Sequence, residues 1–227
     1  MDASQQCSTA VTARRHRRTT ALGPNEHTPH RIHKPSSCIY ATSSTLPIEC
    51  EQRVELTRAL VLVVTRASTR YQAVSPMIDE SLRYGESGEE YVRRLALDKA
   101  SALAMHELSP PILGADTAIV CRGEVFGKPQ DFEQFKEMLE ALSGSKHVVL
   151  SAVAVNNGKS SSVLVCETSV SFREITNQEI NYYWRTGEPR DKAGGYAIQG
   201  KGAIFIKHIS GSYSGVVGLP IFETSQL

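Results

Sequence analysis

The run Val148-Val-Leu-Ser-Ala-Val-Ala-Val155, the pair Asn157-Gly158 and the run Ser162-Val-Leu-Val-Cys166 decide the fold class of this 227-residue chain. Asn-Gly suits a tight hairpin turn, because both central positions of that turn take a positive φ. β-Branched residues on either side favour strands, so the two runs should return on each other as an antiparallel pair. The second strand continues through Thr168-Ser-Val-Ser-Phe-Arg173, where Thr168, Val170 and Phe172 alternate with polar neighbours.

Outward from this hairpin the chain alternates helix and strand signals. Upstream, Asp131 caps a predicted helix whose Phe135, Met138, Leu139 and Leu142 form one apolar stripe, closed by Gly144. Before it, Ile112-Leu113 and Ala118-Ile-Val120 read as buried strand around Gly114-Ala-Asp-Thr117, and Gly127-Lys-Pro129 reads as a turn. Ser87 with Glu90 forms a capping box, which predicts a helix over 88–107 with Tyr91, Leu95, Ala102 and His106 at helical spacing, ended by Pro110-Pro111. Downstream, Thr176 with Glu179 predicts a short helix through Ile180, Tyr183 and Trp184 that stops at Gly187. The residues from Ala203 to Ile209 and from Tyr213 to Val217 suggest a second hairpin about Ser210-Gly211. Glu55 to Val64 reads either as a helix or as a helix followed by a strand. The order defines an α/β protein with several antiparallel returns, not a doubly wound parallel sheet.

Composition narrows the function classes. A formal charge of +1 gives no general surface for a polyanion, so nucleic acid is not an expected partner. Apolar runs fall far short of the roughly 20 residues that span a bilayer, and no membrane segment is expected. The five cysteines share no close pair, which argues against a disulfide scaffold or a thiolate zinc site and fits a reduced, cytoplasmic protein. Residues 1–37 hold the basic run Arg14-Arg-His-Arg-Arg18, three histidines and three prolines after it, and little to bury. They read as a disordered extension, with a targeting, metal-binding or nucleic-acid role as the alternative. The domain proper is placed at 38–227.

Two polar clusters carry the candidate chemistry. Asp116 follows the buried strand signal and should emerge into a crevice, where a carboxylate can hold Mg²⁺ or take a proton from water; Thr117 adds a hydroxyl. The segment Asp191-Lys-Ala-Gly-Gly-Tyr-Ala-Ile-Gln-Gly200 combines acid, base, amide and three glycines. Its Gly194, Gly195 and Gly200 read as backbone kept bare for a ligand, and Lys192 and Gln199 as groups that face it. Lys99, Lys128, Lys192 and Arg53 are ordinary solvated cations if they stay apart and a polyphosphate clamp if they converge. No P-loop, dinucleotide-binding glycine run, nucleophile elbow or zinc pattern is present. His147 and His208 read as structural.

These motifs, in this order, resemble the Maf-like nucleoside triphosphate pyrophosphatases. The resemblance runs from about residue 70 to 224. It is carried by Ile78-Asp-Glu80, Tyr91-Val-Arg-Arg-Leu-Ala96, Leu113-Gly-Ala-Asp-Thr117, Gly127-Lys-Pro129, Leu142-Ser-Gly144, Phe172-Arg173, the 191–200 segment and Val217-Gly-Leu-Pro220. It implies an elongated mixed sheet flanked by helices with a central cleft, a homodimer, and hydrolysis between the α and β phosphates with Mg²⁺ or Mn²⁺. Asp116 matches the family's proton acceptor, and Lys99, Lys128 and Lys192 its cleft lysines. Glu80 and Asp116 match acids that bind metal, and Thr117 and Gln199 match positions that set substrate preference. The ending Ile198-Gln-Gly200 resembles the branch acting on dTTP and UTP.

The N-terminal motif departs from the family. Where it has Ser-x-Ser-Pro-Arg-Arg, this chain has Thr42-Ser-Ser-Thr45, an intervening segment with Glu49 and Glu51, and then Gln52-Arg53. Gln52 thus stands for one arginine and Arg53 keeps the other. Loss of one fixed guanidinium at a phosphate would cost about 2–4 kcal/mol in the transition state. Weakened activity is therefore expected, and a catalytically impaired nucleotide-binding protein that regulates growth or division is the alternative.

Overall fold

The computed structural model describes residues 38–41, 71–74, 76–104 and 111–227, the first two segments by their backbone pairing alone. The expected extension 1–37, Gln52, Arg53 and the divergent motif lie outside the described residues.

Strands β1 (Cys38–Ala41), β2 (Tyr71–Val74), β3 (Ile112–Cys121), β4 (Glu124–Phe126), β5 (Lys146–Asn156), β6 (Ser161–Phe172) and β7 (Ile206–Ser210) form one sheet. Its order is β2-β1-β3-β5-β6-β7, with β4 also paired to β3. Every described pairing is antiparallel. The expected hairpin is its centre: Val148 lies opposite Ser169 and Asn156 opposite Ser161. At the turn Gly158 has φ +87° but Asn157 does not take a positive φ, so the tight turn expected of Asn-Gly is replaced by a longer one in which Asn157 Oδ1 accepts from the Lys159 and Ser160 amides.

Helices α1 (Gly88–Ala104), α2 (Phe132–Leu142), α3 (Asn177–Arg185), α4 (Tyr213–Val217) and α5 (Ile221–Gln226) cover the sheet. Both capping boxes form. Ser87 and Thr176 hydroxyls accept from the Glu90 and Glu179 amides, while those carboxylates accept from the cap amides. The α2 stripe is buried as expected, against Ile119, Val149, Val170 and Phe172. On α1 the buried face is instead Val92, Leu95, Ala96, Lys99, Ala100 and Leu103, with Tyr91 and Ala102 at its margins. The turn that includes a lysine had no apolar signal to follow.

One further expectation is corrected. The second hairpin does not form: the Lys201–Phe205 segment is a 3-10 turn, β7 pairs with β6, and Tyr213–Val217 is helical. Ser212 caps that helix by accepting from the Gly215 amide, a polar start that overrides the β preference of Val216 and Val217. The buried strand expected around the Gly-Ala-Asp-Thr cluster forms, and β3 runs through the cluster unbroken.

Alternation along β3 places its even positions under α1, where Ile112 and Ala118 pack, and its odd positions under α2, where Ile119 and Cys121 pack. His147 sits in the second core with its ring edge-on to Phe172 and Tyr196. Its Nε2 bonds the Tyr196 hydroxyl at 2.8 Å, and its Nδ1 is buried with no partner among the described residues. Burial pushes its pKa down to about 4. The unfolded chain then binds a proton at higher pH than the folded one. Stability is full above about pH 6.5 and is expected to fall on acidification towards pH 4, by about 2 kcal/mol at pH 5. Denaturation midpoints at pH 7 and pH 5 check this: His147→Phe should remove most of the difference, and an unchanged pH dependence would refute it.

Candidate active site

Along one edge of β3, β1 pairs with residues 112 and 113 and β4 with residues 119 to 121. Among the described residues no strand pairs with residues 114–118 on that side, and Asp116 lies in the middle of that stretch. Asp116 leaves the strand on the α1 face. Gly114, two residues earlier on that face, lets the helix lie directly on the strand: a Cβ there would meet the Ala96 carbonyl oxygen at 2.2 Å and the Ala100 nitrogen at 2.8 Å. That close approach sets the reach of Lys99, whose side chain is 1% exposed.

The Lys99 ammonium bonds Asp116 Oδ1 and also lies 3.0 Å from Glu80 Oε1. Glu80 Oε2 is in turn 3.3 Å from Lys128 Nζ. Four residues called from sequence therefore form one continuous ionic chain, Asp116–Lys99–Glu80–Lys128, drawn from β3, α1, the 76–87 segment and the turn after β4. Burial alone would discharge Lys99, but the two carboxylates outweigh it and its pKa is raised. Burial holds the Asp116 carboxyl above the usual carboxylate range, against the pull of Lys99. The Tyr91 phenol is raised by burial and then by the negative charges of Asp116 and Glu80, so it stays a donor. The site thus holds a basic carboxylate beside fixed positive charge, suited to activating water next to a phosphate.

The other candidates are not members of this ionic chain. Lys192 Nζ bonds its neighbour Asp191 at 3.1 Å and not the buried chain; its turn is docked beside Lys128 by the Gly194 amide, which donates to the Gly127 carbonyl at 2.9 Å. Thr117 points to the opposite face of β3 from Asp116. Its hydroxyl meets Ser151 Oγ at 2.8 Å, and Ser151 donates to the Gly215 carbonyl at 2.6 Å. Gln199 is half-buried in the 191–200 segment.

The three glycines of that segment are not bare for a ligand, contrary to the expectation from sequence. A Cβ on Gly194 would strike the Ile119 side chain at 2.4 Å, on Gly195 the Phe135 ring at 2.6 Å, and on Gly200 the Glu188 carboxylate at 2.5 Å. Gly194 and Gly195 also have positive φ. The segment is glycine-rich so that it can pack tightly against α2 and wrap Glu188. That carboxylate accepts from Tyr183 Oη and from the Lys201 and Gly202 amides, while Tyr183 Oη accepts from the Ala197 amide.

Sequence reading missed Arg94, Tyr91 as a polar group, and Ser151. Ser151 carried a signal, a hydroxyl inside an apolar strand; Tyr91 and Arg94 stood in a motif of the resemblance but gained a role only once the 76–87 segment supplied their acceptors. A cavity of about 230 Å³ between α3 and the Lys201–Phe205 turn is lined mainly by Tyr182, Ile204 and Phe205 and touches none of the ionic chain.

The described site is a buried Lys–Asp pair on an antiparallel sheet with further charges beside it, and the chain belongs to the Maf-like protein family, whose profile matches residues 57–227. Relatives named dTTP/UTP pyrophosphatase include that of Shewanella denitrificans, 48% identical over 166 residues covering 72% of this chain and 84% of that protein. The Pseudoalteromonas atlantica protein is 45% identical over 172 residues, 73% and 88% of the two chains. That of Nitrosospira multiformis is 50% identical over 158 residues, 67% and 76%. They carry the name of the branch that the ending Ile198-Gln-Gly200 resembles. No described helix is long and apolar enough to cross a membrane.

Proposed function

We propose that this protein is a nucleoside triphosphate pyrophosphatase that hydrolyses dTTP and UTP to the nucleoside monophosphate and diphosphate. The observation that carries the proposal is the Asp116–Lys99–Glu80–Lys128 ionic chain on β3 and α1, in a chain whose relatives bear that activity in their names. Asp116 takes the proton of the attacking water, a role for which its buried carboxylate is held in place by the Lys99 ammonium. Lys99 fixes the orientation of that carboxylate. Lys128, and Lys192 on the turn docked beside it, neutralise the triphosphate and the departing diphosphate.

Glu80 and Asp116 fit a role in holding Mg²⁺ or Mn²⁺. Both meet the same ammonium, so their oxygens converge, and among the described residues no group of three or more acids, histidines or cysteines forms a protein-only metal cage. One or two carboxylates completed by water and phosphate oxygens is the usual Mg²⁺ arrangement in phosphate chemistry. The ion would supply charge neutralisation at the phosphates. Gln199 reads the imide edge of the pyrimidine, and Thr117, tied to Ser151 on the other face of β3 from Asp116, is the second position for substrate preference. The active species is a homodimer.

A panel of nucleoside triphosphates with Mg²⁺ or Mn²⁺ tests the reading. Diphosphate and monophosphate are expected from dTTP and UTP in preference to purine nucleotides; orthophosphate as the product, or no turnover, would refute it. Nucleotide binding without turnover would favour the regulatory alternative. Gln52→Arg in the same panel is expected to raise kcat by about two to three decades if Gln52 occupies the place of a phosphate-binding arginine.

A further inference from the structure

We propose that Tyr91 and Arg94 are positioning residues for this reaction, tying the segment that carries Glu80 to α1 so that its carboxylate is held across Lys99 and Lys128. The inference rests on the pyrophosphatase reading and adds to it two side chains that touch none of the proposed reacting groups directly.

Residues 76–87 have neither helix nor strand, and Met77, Leu82 and Tyr84 point into solvent. Apolar burial of these three side chains therefore does not fix the segment. Polar bonds do. Tyr91 Oη donates to the carbonyl of Glu80 itself at 2.9 Å. Arg94 Nη2 donates to the Ser81 carbonyl at 3.0 Å, and its Nε and Nη2 form a fork on Glu86 at 2.6 and 2.8 Å. One guanidinium thus closes both ends of the 81–86 stretch. An ammonium could not, because it lacks the planar pair of donors.

Tyr91, Arg94 and Lys99 stand on the same helix. The element that supplies the cation for the Glu80 carboxylate also supplies two donors for the backbone around it, so the Glu80–Lys99 distance is set within one rigid unit. Glu86 is held well down, to about 2, first by its bond to Arg94, so this clamp stays ionised throughout the neutral range.

The test combines kinetics with amide exchange on the full chain. Tyr91→Phe is expected to lower kcat for dTTP about five- to tenfold and Arg94→Lys tenfold or more, with KM changed less than kcat. In a Glu80→Gln background, Tyr91→Phe should change kcat less than twofold, since its effect passes through Glu80. The Ser81, Arg83 and Glu86 amides, which are hydrogen-bonded within the segment, should exchange faster in both single variants while those of α1 and β3 do not. Equal losses with and without Glu80→Gln, or unchanged exchange, would overturn the proposal. A wild-type protein that turns over neither dTTP nor UTP would sink the pyrophosphatase reading instead, and the exchange measurement alone would then decide the tether.

Discussion

Asp116→Asn is expected to lower kcat for dTTP and UTP by about 10²–10⁴-fold, the usual contribution of a positioned general base. The substitution keeps the shape and hydrogen-bonding reach of the side chain and removes its negative charge. KM should change less, because the phosphate-neutralising role proposed for Lys128 and Lys192 does not depend on the Asp116 charge. A stability cost accompanies the loss. Lys99 is 1% exposed, and removing one partner of a buried ion pair costs up to about 3–5 kcal/mol. Glu80, 3.0 Å from the same ammonium, should keep the loss towards the lower end. Turnover is therefore measured well below the melting temperature of the variant and scaled to folded protein. Full hydrolytic rate in folded Asp116→Asn would remove Asp116 from the role of base and leave the buried pair as a structural feature.

Gly114→Ala is expected to damage both stability and activity through one methyl group. The new Cβ would lie 2.2 Å from the Ala96 carbonyl oxygen and 2.8 Å from the Ala100 nitrogen. Both are helix backbone, so no side chain can swing aside and α1 must lift from β3. Overpacking of this kind costs about 1–3 kcal/mol, sometimes more, against a gain of about 0.4–1 kcal/mol from a stiffer unfolded chain. The cost wins. For a domain of this size the melting temperature should fall by about 2–10 °C. The displaced helix also carries Lys99 away from Asp116, and a shift near 1 Å at a catalytic group can cost about 10²-fold in rate. An unchanged melting temperature together with an unchanged kcat would show that α1 has slack here, which would remove the reason given for the placement of Lys99.

The elements with local signatures were legible in the chain. Asn157-Gly158, the Ser87–Glu90 and Thr176–Glu179 boxes, and the Phe135, Met138, Leu139 and Leu142 stripe each act within a few residues, so sequence neighbours suffice to specify them. The α1 face was harder, because Lys99 is buried among apolar residues for the sake of Asp116, seventeen positions away. The 213–217 helix was misjudged for the opposite reason: Val216 and Val217 favour strand, and the cap at Ser212 together with packing under β5 and β6 decides otherwise.

By itself, the sequence determined the antiparallel frame, the residue types of the site and the family, since hairpin turns, caps and ordered motifs are properties of short stretches. Tertiary structure alone decided that Glu80, Lys99, Asp116 and Lys128 share one ionic chain, and that the glycines of the 191–200 segment serve packing. Charges distant in sequence stabilise one another only after the backbone has brought them within a few ångströms, and whether a missing Cβ faces a ligand or a neighbouring side chain depends on what the fold sets against it.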